Sequence, residues 1–417
     1  MRTVGLITEY NPFHNGHLHH LQGSLRVADA DASVAVMSGH FLQRGEPALI
    51  DKWARAEMAL AAGVDLVLEL PFSFACNSAP HFARGAVQSL NGLGVVDTLC
   101  FGSEAGEVSS LQTVAQLLLE HAADIDAGTR QLLRSGVSYP AARAEVLSAM
   151  APEVSAALVS SPNNILGIEY LKALRETSSP IAAFTILRRG AGYHSTDVTS
   201  PIASATGIRK RLSEGGTVGE FVPEACRHIL SQALDRGRSL DHDRLFSSLQ
   251  TFLLQEMETL SGIYQVENGL AQRLVDAAMT ATSYADLTDA IKSRQWTLTR
   301  IQRLLSYVLL QVSRVEMNSF LECGPLYLRL LGATEKGRKV LAGSRKKRSL
   351  PVISDPARAQ AVLRRFYSGR KDLACLAERM LACDLRATRI YGLLQKNPVQ
   401  GHRNQDFFRD CLGLGKA

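Results

Sequence analysis

Five short apolar runs punctuate the first half of this chain, at residues 3–7 (TVGLI), 33–37 (SVAVM), 64–70 (VDLVLEL), 95–101 (VVDTLCF) and 181–187 (IAAFTIL), with stretches of helical period between them. A run that is apolar at every position suits a strand covered on both faces, and parallel strands need crossover helices to join them. Residues 52–62 (KWARAEMALAA) and 81–91 (HFARGAVQSLN) are amphipathic at the right length for such crossovers, and 164–175 precede the fifth run as another helix. The pattern predicts an α/β fold with a doubly wound parallel sheet. Residues 107–151 read as helices outside the sheet. Beyond about residue 215 strands fade, and 245–260, 269–280 and 297–312 repeat apolar residues at helical spacing, the last with Thr297 as a candidate N-cap. The chain is therefore divided into residues 1–215 and a mainly α-helical domain, 216–417. No low-complexity linker or internal repeat separates them, which predicts close packing; after Pro351 the pattern is unclear.

At 417 residues, with 46% hydrophobic and 21% charged, the chain has ample material for a core. It has no apolar run of membrane-spanning length, and its N-terminus enters a strand without the regions of a signal peptide. The expectation is a cytoplasmic protein with no membrane association. Seven cysteines (Cys76, Cys100, Cys226, Cys323, Cys375, Cys383 and Cys411) lie scattered, without a CxxC pair. That argues against a disulfide framework or a zinc ribbon and predicts reduced, buried thiols. The net charge of +6 permits a polyanionic partner. Residues 336–348 (KGRKVLAGSRKKR) concentrate seven basic side chains and no acidic one: Lys336, Arg338, Lys339, Arg345, Lys346, Lys347 and Arg348. This density suits phosphate backbones, and equally a solvated loop.

Directly after the first strand comes EYNPFHNGHL, residues 9–18, leading into a helical stretch from His17. A loop at a strand's carboxyl end that opens a helix offers free backbone N–H groups and a positive dipole end, and Gly16 lets a ligand approach the backbone. His14 and His17 can add hydrogen bonds or positive charge to phosphate oxygens. The cluster of His14, His17, His19 and His20 lacks a recognisable third ligand for zinc. An Asn-Gly turn with incidental histidines is the plain alternative. A second segment, residues 204–211 (SATGIRKR), sets cations in the first turns of a helix, where they are unfavourable unless an anion sits there. Ser204 and Thr206 supply hydroxyls and Arg209 a forked cation, with Lys210 beside it, so the segment suits the pyrophosphate end of a triphosphate.

HNGH and SATGIRK resemble, in order, the HxGH and Ser/Thr-x-x-Ile-Arg signatures of the nucleotidyltransferase superfamily. The longer strings VGLITEYNPFHNGHLHH, VAVMSGHFLQRGEPALIDKWARAEMAL, GVDLVLELPF, FGSE, SPNNILGIEY and IASATGIRK together resemble the bacterial tRNA(Met) cytidine acetate ligase family. The likeness runs through about the first half, with weaker similarity at WTLTRIQR and LGATEKGR. It implies a Rossmann-like nucleotidyltransferase sheet and a two-step reaction: ATP and acetate give acetyl-adenylate and pyrophosphate, then acetyl passes to N4 of the wobble cytidine of elongator tRNA(Met). By motif match the family's ATP positions fall on Ile7, Thr8, Glu9, Tyr10, Asn11, Pro12, Phe13, His14, Asn15, Gly16, His17, Leu18, His19 and His20, on Gly102, on Asn163 or Asn164, and on Arg188 with Arg189 beside it. The resemblance also implies His14, His17 and Arg209 as catalytic groups, with Mg²⁺ bridging phosphate oxygens and no obligate protein partner.

Local chemistry leaves some of these open. Asn163 could instead cap a helix, and Arg188 and Arg189 could be surface charges. His40, Gln43 and Arg44, after the second strand, would line the site or receive the cytidine. Arg300 and Arg303 could face solvent or, with the basic run, the tRNA. Whether Asp51, Glu69 or Glu104 meets a metal is open. A small-molecule adenylyltransferase would share both signatures without needing a basic helical domain. A non-catalytic RNA-binding protein would have no reason to carry both signatures.

Overall fold

The five apolar runs form β1 (Thr3–Thr8), β2 (Ala32–Ser38), β3 (Leu66–Leu70), β4 (Thr98–Ser103) and β5 (Ala182–Leu187), parallel to one another in the spatial order β5-β4-β1-β2-β3. The structure, a computed structural model, describes residues 1–137, 139–151, 154–188, 203–255, 260–267, 269–293, 296–398 and 403–413. Every residue of β2 and β3 is buried, whereas β5, at the edge, is half-exposed. Successive residues serve opposite faces: Val34 and Val36 join one hydrophobic cluster while Ala35 and Met37 join the other, and Leu99 and Phe101 divide from Cys100 in the same way. Helices Ala79–Leu93 and Pro162–Glu176 pack on the first face, and Asn15–Val27, Lys52–Ala61 and Ala205–Ser213 on the second. Gly5 lies under the Ala79–Leu93 helix, where a Cβ would sit 2.8 Å from a Leu90 methyl. Helices Val108–Glu120, Ala122–Arg134 and Tyr139–Met150 lie outside the sheet, as expected.

The second half departs from expectation by adding to the sheet. β6 (Leu328–Ala333) pairs antiparallel with β3, and β7 (Val352–Ile353) pairs with β6, giving seven strands across both halves. So short a run as LRLLGA cannot be told from a buried helix segment by periodicity. β6 is wholly buried and covers the backbone edge that β3 would otherwise expose. The unclear region after Pro351 contains a 23-residue helix, Lys371–Leu393, whose buried face includes Asp384 and Thr388, so the apolar period that marks a helix is broken. The remaining helices after residue 216 bear out a mainly α-helical second half. No described helix is long and apolar enough to cross a membrane. All seven cysteines are free, but Cys323 and Cys375 are exposed rather than buried because they fall on outward faces of their helices.

One buried ionic cluster joins the two halves. Lys52 Nζ lies 2.8 Å from Glu69 Oε2 on β3 and 2.9 Å from Asp406 Oδ1, while Arg329 on β6 reaches the same Asp406 oxygen at 3.2 Å. All four side chains are nearly inaccessible to water. Flanking cations hold the Asp406 carboxyl below the usual carboxylate range despite its burial. Removing one member leaves buried charge uncompensated, which typically costs about 3–5 kcal/mol. Asp406→Ala is expected to lower unfolding free energy by about that amount in urea titration; a loss under about 1 kcal/mol would show that the cluster is not a structural tie.

Candidate active site

A cavity of about 350 Å³ opens at the carboxyl ends of β1 and β4, where the strand order reverses direction. Ligands of open α/β sheets bind at such a point. Its floor is the loop after β1. Tyr10 and Phe13 of that loop are buried in the core and anchor it. The Asn11 side chain accepts from the Leu49 backbone N–H at 2.7 Å, and its carbonyl accepts from Arg209 Nη1 at 3.0 Å. His14 is the N-cap of helix Asn15–Val27: its Nδ1 accepts from Gly16 N–H at 3.0 Å, while His17 Nδ1 accepts from the His14 backbone N–H at 3.3 Å. The rings lie 3.8 Å apart.

With both Nδ1 atoms occupied as acceptors, each ring carries its proton on Nε2. Burial, then Arg188 and Arg209, push His14 down to about 3; burial, then His14, Arg188 and His20, hold His17 well below its ordinary value. The histidines are thus neutral N–H donors in this structure.

The second signature arrives on the same cavity. Ser204 caps helix Ala205–Ser213, its Oγ accepting from Gly207 N–H at 3.0 Å, and Ser204, Thr206 and Arg209 all line the wall. Lys210 points away and pairs with Glu214. Two helix N-termini, two imidazole donors and Arg188 and Arg209 therefore converge on one space, an arrangement made for anionic oxygens. Beside them Phe101, Gly102, Leu166, Tyr170 and Ile186 form an apolar slot. On the other side of the loop stand Glu9, Gln43, Arg44, Glu46, Thr299 and Gln302. No group of three or more His, Cys, Asp or Glu among the described residues could hold a metal ion.

Not every predicted position reaches the cavity. Ile7, Thr8, Glu9, Tyr10, Asn11, His14, Gly16, His17, His19, His20, Gly102, Asn163 and Arg188 line it; Pro12, Phe13, Asn15, Leu18 and Asn164 do not. Arg189 lies outside the described residues. Asn163 is not the N-cap of its helix, which is Ser161; it accepts from Arg188 Nη1 at 3.1 Å and so aims that cation. Asn164 is structural, its Oδ1 taking the backbone N–H groups of Glu104 and Ala105. Glu104 in return accepts from the backbone of Asn163 and Asn164, Asp51 is bound to Arg238, and Glu69 to Lys52. These three carboxylates are committed to protein partners. His40 is buried against Tyr391, rings 4.5 Å apart, and does not line the cavity.

The basic candidates separate. Arg303 does not face outward, because its Nη1 turns to the Gln43 carbonyl at 3.4 Å. Arg300 stacks over Trp296 at 4.2 Å and pairs with Glu267 near the cavity rim. Lys336, Arg338, Lys339, Arg345, Lys346 and Lys347 are exposed and Arg348 half-buried, but at the opposite end of the sheet. There Lys336 Nζ reaches the Asp31 carbonyl just before β2, and Ser349 N–H the Gly92 carbonyl before β4. A strand of six residues puts that edge about 20 Å from the cavity.

Sequence reasoning missed the contribution of helix Leu298–Leu309. Leu298, Thr299 and Gln302 line the cavity, and Gln302 Nε2 donates to Glu46 Oε1 at 2.8 Å. The loop carrying Glu46 presses on this helix through Gly45, whose φ of +94° and a built Cβ 2.1 Å from the Arg303 backbone nitrogen leave no room for a side chain. The one local signal was the glycine in QRGEP; its meaning depended on a helix more than 250 residues away.

The family model of the HIGH nucleotidyl transferases matches residues 1–406. A protein named tRNA(Met) cytidine acetate ligase from Syntrophotalea carbinolica is 52% identical over 420 residues, covering 100% of both chains, and one so named from Alkaliphilus metalliredigens is 41% identical over 97% of each. A crystal structure of Thermotoga maritima TmcAL bound with alpha-thio ATP superposes with a TM-score of 0.88 at 35% identity, covering 99% of each chain. The apo form of the same enzyme gives 0.90 at 36% identity.

The different tasks of the adjacent asparagines are separable. Asn164→Ala strips two backbone N–H groups of their acceptor and is expected to cost about 1–3 kcal/mol in thermal or urea unfolding with ligand affinity little changed, whereas Asn163→Ala removes the link between Glu104 and Arg188 and should lower ligand affinity as well as stability. Unchanged ligand affinity in Asn163→Ala would refute the division.

Proposed function

Because the chain belongs to the tRNA(Met) cytidine acetate ligase family, we propose that it activates acetate with ATP as acetyl-adenylate and transfers the acetyl group to N4 of the wobble cytidine of elongator tRNA(Met). The observation that carries this is the convergence of both signature segments on one cavity, where neutral imidazole donors, two arginines and two helix N-termini face a single space. The apolar slot beside it suits an adenine ring. In the first step an acetate oxygen bonds to the α-phosphorus and pyrophosphate leaves. The nucleophile is already an anion, so the site needs positioning and charge stabilisation, not a base. His14 and His17 Nε2–H groups donate to the α-phosphate oxygens as charge accumulates, and Arg209, Ser204 and Thr206 receive the leaving pyrophosphate. Among the described residues no cluster of three acidic, His or Cys side chains stands ready to hold a metal ion, which fits a Mg²⁺ that would arrive with ATP and neutralise phosphate charge.

The tRNA-binding role falls to the half from residue 216. Arg300 stands near the rim, and the run Lys336 to Arg348 would hold phosphates remote from the wobble base, which the span of a tRNA permits. That run is a poor candidate for contact near the anticodon, since it lies on the far edge of the sheet.

Incubation with ATP, labelled acetate and tRNA(Met) is expected to place label in N4-acetylcytidine. ATP consumption with label in a different acceptor would favour a small-molecule adenylyltransferase, and absence of ATP binding a non-catalytic RNA-binding protein. His17→Ala and Arg209→Ala should each lower acetate-dependent ATP–pyrophosphate exchange by about 100-fold or more. Charge reversal at Lys346 and Lys347 should weaken tRNA binding and reduce its salt slope by about one for each phosphate no longer held, with exchange unchanged. Equal loss of exchange would remove that run from the RNA surface.

A further inference from the structure

The acetyl-transfer step has a requirement that the adenylation step lacks. The lone pair of cytidine N4 is delocalised into its ring; as N4 bonds to the acetyl carbonyl carbon it gains positive charge and must shed a proton. The bond between that carbon and the phosphate oxygen then breaks, and AMP leaves with the electron pair. Some group must receive the N4 proton.

The two histidines are not suited to it. Each uses its Nδ1 lone pair on a backbone N–H and presents only an N–H to the cavity, so neither has an acceptor atom to offer. Glu46 is engaged on both oxygens, with Gln302 at 2.8 Å and Arg209 at 3.7 Å. Glu9 differs. It lines the cavity on the polar side of the loop, opposite the apolar slot, and its Oε1 accepts from the Gln43 backbone N–H at 2.7 Å. Among the described residues no donor reaches its Oε2. A carboxylate is repelled by phosphates, so the loop position that looks like part of the ATP grip is chemically the wrong sign for that task. It is the right sign for an exocyclic amine.

We infer that Glu9 is the catalytic base of acetyl transfer, its Oε2 receiving the N4 proton as the carbon–nitrogen bond forms. This rests on the ligase reading above. Burial raises the Glu9 carboxyl above the ordinary range, which strengthens it as a base. The groups facing it are Gln43 and Arg44 from the loop after β2, Arg55 from helix Lys52–Ala61, Arg209 from helix Ala205–Ser213, and Cys76. The arginines oppose that burial without reversing it. The tether to Gln43 fixes the first oxygen at the cavity lining.

Glu9→Gln is the informative variant, because a glutamine Oε1 can still accept from Gln43 N–H while the base is gone. Given preformed acetyl-adenylate and tRNA(Met) in single turnover, the variant is expected to transfer acetyl about 100-fold more slowly than wild type. The ratio of transfer rate to acetate-dependent ATP–pyrophosphate exchange should fall by the same factor. Wild-type transfer should slow at acidic pH along a limb that the variant lacks. Transfer at the wild-type rate, or equal loss of both half-reactions, overturns the assignment, as does a wild-type transfer rate without an acid limb, which needs no variant at all. A wild-type protein that exchanges pyrophosphate but labels no RNA would instead overturn the ligase reading.

Discussion

The first turn of helix Lys52–Ala61 carries three buried charges on which the rest of the architecture hangs. Asp51, the N-cap, binds Arg238; Lys52 binds Glu69 and Asp406; Arg55 donates to the carbonyls of Glu9, Ser38 and Gly39. Each is essentially inaccessible to water. Charges so buried are tolerated only when fully partnered, so the partners must be in place for the helix to sit where it does. They come from β1, β2, β3, the segment after Asp235 and the last helix, Gln405–Phe408. One helical turn thereby registers the carboxyl edge of the sheet against the whole second half.

That registration shapes the cavity. Arg55 holds the carbonyls at the ends of β1 and β2, so the loop after β1 and the loop after β2 share one anchor. The second of these loops is then stitched from outside: Ser306 Oγ donates to the Gly45 carbonyl at 2.6 Å, Tyr391 OH to the Ala48 carbonyl at 2.8 Å, and Leu240 N–H to the Leu49 carbonyl at 2.9 Å. The wall that carries His14, His17, Arg188 and Arg209 is built by the first half alone. The polar wall, where the acceptor would approach, exists only because helices from the second half press the loop into shape. Adenylation and transfer would therefore depend differently on the union of the two halves.

Much was legible in the order of residues because the relevant physics is local. A short, nearly unbroken apolar run such as SVAVM has few places to go but the middle of a parallel sheet, and HNGH after a strand puts a cap and two imidazoles at a helix N-terminus through contacts no more than three residues apart. Ser204 as a cap and Arg209 one turn on are local in the same sense. Asn163 and Asn164 show where locality fails: adjacent in sequence, they part because Glu104, on another strand's loop, accepts from the side-chain amide of Asn163 with its carboxylate and donates its own backbone N–H to the side chain of Asn164.

What the sequence determined by itself was the parallel sheet, the capped helix starts of the two signature segments and the family, since each depends on short strings whose conformation is set by neighbours. Only the tertiary structure decided that β6 and β7 complete the sheet, that Arg303 turns inward, that the basic run lies on the edge away from the cavity, and that Glu9 has one oxygen held and one open. Those outcomes depend on contacts between residues tens to hundreds of positions apart. Burial, charge pairing and close packing select among such contacts only once the whole chain is assembled.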